Sequence, residues 1–195
     1  MVPITLDAAW KHPKLTVSPD QRTFHHECLG QEPAIEHQLP IVVAREGFAS
    51  GRQYWEVQLW DGLDWEVGVL TESVRESLKG GSWQDLPEDG VWSLRRVKGQ
   101  FGPEEAKTVI EERNEKPAVI DVDLDLSQST LSFYDIAVSV SMLEIPIERS
   151  TRLYPFLRPG FGGAGEKGKP LSINHNTDWD FPQTFKSEMR YAKVS

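Results

Sequence analysis

The sequence predicts an all-β fold of the sandwich type, with one or two short N-terminal helical turns. Three observations carry this. Most of the apolar pattern has period two, the signature of strands that bury one face. Short apolar runs alternate with turn-forming residues, and helix signals are few. The 195 residues are 38% hydrophobic and include seven Trp, enough to fill the interior of one large β domain.

Taken in chain order, LDAAWKHP has room for one helical turn between Asp7 and His12, stopped by Pro13. Ser50-Gly51 reads as a tight turn in which Gly51 accepts positive φ. In YWEVQLW, Trp55, Val57 and Leu59 share one face, while Glu56 and Gln58 take the other. Tyr54 lies on the face opposite Trp55 and is expected to pack under a loop. In DWEVGVL, Trp65, Val67 and Val69 form one face. TESVRESL, residues 71–78, holds a second helical turn. In AVIDVDLDL, Ile120, Val122, Leu124 and Leu126 alternate with Asp121, Asp123 and Asp125, as expected for a sheet with one wet side. SQS then turns into TLSFYD, and these two strands read as a hairpin. RLYPFL and KPLSINH read as two further strands, with the Gly-rich PGFGGAGEKG as a hairpin loop between them. Trp55, Trp65, Trp92 and Phe133 are the expected core aromatics. Long loops at residues 25–48, 74–90, 97–116 and 135–150 are where binding surfaces are expected.

Composition narrows the function classes. Twenty-one basic against 30 acidic residues leave a net charge of −9 and a pI near 5.1. That balance argues against nucleic acid or an anionic membrane as the main partner. Cys28 is the single cysteine, so no intrachain disulfide forms and nothing points to an oxidising compartment. No apolar run reaches bilayer-spanning length, and MVPITLDAAW lacks the basic-then-apolar order of a signal peptide. A cytoplasmic domain is the expectation.

Several patterns imitate chemistry. Gly160, Gly162 and Gly165 spell G-x-G-x-x-G, and Gly163 to Lys169 spell G-x-x-x-x-G-K. Phosphate binding there needs a strand before and a helix after, so that helix N–H groups face the ligand. Pro170 stands where Ser or Thr would hold magnesium, and PLSINH continues as a strand, so the stretch reads as a hairpin loop. His25, His26, Cys28 and His37 match no zinc spacing, and adjacent His residues in a strand point to opposite faces. The acidic run Glu104, Glu105, Glu111, Glu112 and Glu115 reads as a solvated face, because paired carboxylates do acid–base work only when buried. G-x-S-x-G is absent. No catalytic residue, metal ligand or cofactor is assigned.

Seven segments then occur in one order. ITLDAAWKHPKLTVSPDQRTFHH and REGFASGRQYWEVQL are followed by DWEVGV, GVWSL, VIDVDLDLSQSTLSFYD, LYPFLRPGF and PLSI. Together they resemble the PRY–SPRY domain family, found at the C-termini of tripartite-motif proteins and butyrophilins. The resemblance spans nearly all of residues 3–174. It implies a bent, two-sheet antiparallel β-sandwich that recognises proteins or small ligands through variable loops, without catalysis. It also implies a PRY segment over residues 1–46 and an SPRY segment over 47–176 in one compact domain, with a tail over 177–195. The chain departs from the family in places. Gln53 stands where the family often has His, which in one butyrophilin subgroup belongs to a basic pocket for phosphorylated metabolites. IVVARE replaces a usual Val-Leu-Gly, and FGPEEAKTVIEERNEKP is atypical.

The resemblance places the partner surface at Glu66, at Arg95 and Val97, and at Phe161. In tripartite-motif relatives the positions of Arg95 and Val97 can be aromatic, so this chain's partner is expected to differ. Phe161, between Gly160 and Gly162, is either an anchor for a partner or a lid on the core. Arg95 and Arg96 are strand neighbours that point opposite ways. With Lys98 they make a cationic rim, suited to an acidic patch on a partner or simply to solubility. Leu63, in the WDGLDW turn, is a further candidate. The expected function is a non-catalytic module binding a protein partner, as the intracellular domain of a butyrophilin-like immune-regulatory receptor. The substrate-recognition domain of a tripartite-motif E3 ubiquitin ligase and a sensor of a small phosphorylated metabolite are the alternatives.

Overall fold

The computed structural model describes residues 3–12, 15–26, 41–59, 65–79, 86–97, 100–102, 119–136, 140–148, 152–159 and 171–174; at several strand ends, Val97 among them, only the backbone is described. Thirteen strands in this set form two sheets, and every pairing between them is antiparallel. The first sheet runs, in spatial order, β1 (Leu6–Lys11), β4 (Val42–Ala44), β12 (Leu153–Pro159), β6 (Trp65–Thr71), β7 (Val91–Val97) and β8 (Gln100–Gly102). The second runs β11 (Val140–Pro146), β10 (Thr130–Asp135), β9 (Val119–Asp125), β5 (Arg52–Leu59), β13 (Leu171–Asn174), β3 (Thr23–His26) and β2 (Leu15–Val17). One helix, α1 (Glu72–Lys79), follows β6.

The expected alternation builds the interior. Trp55 and Val57 on β5, Val122 and Leu124 on β9 and Phe133 on β10 meet Trp65 and Val67 on β6 in one buried cluster between the sheets. Each fully buried Leu- or Phe-sized side chain there contributes roughly 1.5–3 kcal/mol. The hairpin expected at SQS joins β9 to β10, with Leu124 opposite Leu131. Gly51 has a φ of 81°, the positive value the turn before β5 requires.

Four expectations change. The N-terminal helical turn is strand β1. Leu6 and Trp10 are four residues apart, a spacing that imitates a helix, but the β1–β4 register shifts between Leu6 and Lys11. Leu6 therefore enters the core between the sheets, while Trp10 packs on the outer face of the first sheet. PGFGGAGEKG does not close a hairpin: β12 lies in the first sheet and β13 in the second, so residues 160–170 connect the two layers. The segments at 42–44 and 140–146, expected inside long loops, are strands. Finally, Asp121 and Asp123 are each only 5% exposed, so that side of β9 is not wet.

Candidate functional site

The outer face of the first sheet carries the candidate site, and α1 covers part of that face. The helix starts where Thr71 Oγ1 accepts the Val74 N–H at 3.3 Å, an N-cap contact. Val74 and Leu78, one turn apart, turn inward and cover Leu70, Val43 and Phe156 in a second apolar cluster. Arg75 locks the helix down. Its guanidinium carbon lies 4.1 Å from the centre of the Trp10 ring and 4.4 Å from that of Tyr154, and its Nη2 is 3.3 Å from Asp7 Oδ2.

Register places three cross-strand rows on this face. Tyr154, Leu70 and Val91 form the row nearest the helix, and Phe156, Gly68 and Ser93 the next. The third row is Arg158, Glu66 and Arg95, on β12, β6 and β7. Here the face opens into a cleft of about 270 Å³. Glu66 sits at its floor. Ser93 Oγ donates to Glu66 Oε1 at 2.7 Å, and Arg158 Nε lies 3.1 Å from Glu66 Oε2. Leu86, Pro87 and Val91 form an apolar wall, and Glu88 and Arg95 stand exposed on the rim. Gly68, in the middle row, lets β6 and β7 approach closely: a Cβ there would come within 2.1 Å of the Trp92 carbonyl oxygen and 2.7 Å of Ser93 Cα.

Of the six partner-contact residues expected from sequence, Glu66 and Arg95 come together in this cleft. Their roles differ. Arg95 is exposed, whereas Glu66 is 7% exposed and held by two neighbours, so it fixes the floor rather than presenting itself. Arg96 faces the other way. It pairs with Trp65 on the inner side of the sheet and is 8% exposed, so it cannot share a surface with Arg95. Phe161, Leu63 and the Val97 side chain lie outside the described residues. Ser93, Arg158, Glu88 and the wall of Leu86, Pro87 and Val91 were missed. Period two along LYPFLRP does put Arg158 on the face of Tyr154 and Phe156, but only strand pairing brings it beside Glu66.

A second polar patch covers the outer face of the second sheet. Arg52 holds Asp123, with Nε 2.9 Å from Oδ1 and Nη2 on the other oxygen. Asp121 faces Glu56 on β5 and Tyr134 on β10, and its Oδ1 has no hydrogen-bond partner. Burial first, then the charges of Glu56 and Asp123, push the Asp121 carboxyl from 3.8 up to about 7. Burial also raises Tyr134 to about 12. Among the described residues no three metal-ligating side chains converge, and Cys28 and His37 lie outside that set. Among the described residues, likewise, no helix is long and apolar enough to cross a membrane.

Comparison with known proteins supplies the context. The SPRY domain family matches residues 52–170. The E3 ubiquitin-protein ligase TRIM69 of Mus musculus is 28% identical over 181 residues, covering 88% of this chain and 35% of that protein. The erythroid membrane-associated protein of Homo sapiens is 28% identical over 177 residues, covering 88% of this chain and 37% of that protein. The chain spans about a third of the length of the curated relatives it matches, between 28% and 37%. In structure it is similar to the TRIM65 PSpry domain, with a TM-score of 0.61 at 18% identity, over 89% of this chain and 92% of that one. A stonustoxin structure matches equally well, with a TM-score of 0.61 at 18% identity, over 88% of this chain and 28% of that one.

Proposed function

This chain belongs to the SPRY domain family, in its PRY–SPRY form, and from that premise we propose that it docks a protein partner in the cleft above the Arg158–Glu66–Arg95 row. The setting we assign is the substrate-recognition end of a tripartite-motif E3 ubiquitin ligase. One observation carries the site: Arg95 stands exposed at the rim of a recess whose floor is locked by Ser93, Glu66 and Arg158. A charged group held on rigid strands beside an apolar wall suits specific recognition. SPRY domains are protein-interaction modules and generally non-catalytic. Inside the cleft Ser93 is spent on Glu66, whose carboxylate is itself ion-paired, so the pair offers no activated nucleophile.

The ubiquitin-ligase setting rests on the likeness to TRIM69, TRIM58 and the TRIM65 domain. The second reading is the cytoplasmic domain of a butyrophilin-like receptor, for which the likeness to the erythroid membrane-associated protein supports only a membrane-associated setting. A phosphorylated metabolite fits less well, because Arg158 already holds Glu66. The division into a PRY segment, 1–46, an SPRY segment, 47–176, and a tail, 177–195, belongs to the same proposal. The test compares proteins captured from lysate by the wild type, by Arg95→Glu and by Glu76→Arg on the exposed side of α1. We expect one set of partners lost with Arg95→Glu alone. Identical capture by all three overturns the placement of the site.

A further inference from the structure

We propose that this cleft selects a short extended peptide segment bearing a carboxylate beside an apolar side chain, with a basic residue toward Glu88. The inference rests on the cleft being the partner site and adds the chemical class of what enters it. Charge accounting comes first. Four charged side chains line the cleft. Glu66 and Arg158 neutralise each other at the floor, and Ser93 takes the other Glu66 oxygen. Arg95 and Glu88 remain, both exposed, with no ion pair to a described residue. The rim is therefore a dipole, with a guanidinium and a carboxylate both facing the opening.

Arg95 offers a planar fork of donors that matches a carboxylate in two bonds. It lies directly across the sheet from Glu66, yet the two form no ion pair, and Glu66 is held by Ser93 and Arg158 instead. Leu86, Pro87 and Val91 line the same cleft, so they suit an apolar side chain next to the acid. A volume of about 270 Å³ admits one or two side chains.

The net charge of −9 would repel a polyacidic partner at long range. Screening confines that repulsion to about 8 Å at physiological salt, so Arg95 decides locally. Glu88 then disfavours a second acid and favours a base. The occupant is a mixed-charge segment, not an acidic tract.

The experiment selects an unbiased library of displayed linear dodecapeptides against the 195-residue chain. The enriched peptides should carry Asp or Glu within two residues of an aliphatic or aromatic residue. A synthetic peptide of that consensus should bind Arg95→Glu about tenfold more weakly than wild type and bind Glu76→Lys unchanged. Selection against Arg95→Glu should replace the acid by Lys or Arg. Pro87→Trp, a change on the exposed wall, fills the cleft and should abolish binding. Circular dichroism establishes that each variant is folded. Peptides lost with Pro87→Trp but lacking an acid and indifferent to Arg95→Glu would overturn the assigned chemistry and leave the site standing. Peptides unaffected by both substitutions would overturn the site itself. No enrichment at all would overturn the peptide occupant.

Discussion

Asp121→Asn should stabilise this protein at pH 8 and leave it unchanged near pH 4. Asp121 is 5% exposed, faces Glu56 across the β5–β9 pair, and has an oxygen without a hydrogen bond. Its carboxyl titrates at about 7 in the folded chain and at an ordinary 3.8 when unfolded. Between those values the folded state holds a proton that the unfolded state has released. Unfolding is then favoured as pH rises, and the full cost is reached above about 7. At about 1.4 kcal/mol per pH unit, the interval is worth at most about 4 kcal/mol. Glu56 is only half-buried, so water screens part of this, and about 2 kcal/mol is expected. Asn matches the protonated carboxyl in shape and never charges. Urea denaturation of wild type and variant, followed by Trp fluorescence at pH 4, 6 and 8, reads the difference directly. The gain should grow with pH, to about 2 kcal/mol at pH 8, which a parallel thermal melt should show as a rise of about 4–8 °C in Tm. In a Glu56→Gln background the gain should shrink, because Glu56 is the main like charge on Asp121. A gain that is equal at every pH, or a loss at pH 8, would refute this account of the buried carboxylate.

Two further outcomes follow from the packing. Arg75→Met keeps the aliphatic stem but removes the guanidinium between Trp10 and Tyr154 and leaves buried Asp7 with the Ala9 N–H and, among the described residues, Arg45 at 3.9 Å as its remaining cation. It should cost about 2–3 kcal/mol and raise amide exchange in α1; a cost below about 0.5 kcal/mol would show that the helix is held otherwise. Gly68→Ala and Gly51→Ala should separate by soluble yield and chemical denaturation. The first drives a Cβ into the backbone of β7 and should cost about 3 kcal/mol or more, while the second meets open space at positive φ and should cost only about 1 kcal/mol. Equal costs would count against the close β6–β7 approach.

Legibility in the sequence followed how many faces of a strand are covered alike. On β5 and β9 one face meets the core throughout, so alternation marked both strands. On β6 all seven residues are buried, because Val67 and Val69 face the other sheet while Leu70 lies under α1. Trp65 still marked it. β4 is buried on both faces over only three residues, too short to show any period. Along β11 a register shift near Phe133–Tyr134 sets Met142 and Leu143 both inward, which erased the alternation. The acidic positions of β9 misled for a different reason. Period two shows that Asp121 and Asp123 share a face, but their burial arises from neighbours on other strands.

The sequence by itself determined that this is a β-sandwich recognition domain, because strand periodicity and ordered local segments are properties of short stretches of chain. It also determined that Arg95 and Arg96 part to opposite faces. Which of them looks outward was settled by the tertiary structure, through the pairing of Arg96 with the core residue Trp65. The same holds for the cleft. Glu66, Ser93 and Arg158 come from strands spread over more than 90 positions, and only the β12–β6–β7 register sets them side by side. Pairing is a long-range choice, made by total burial across both sheets, and no local pattern carries it.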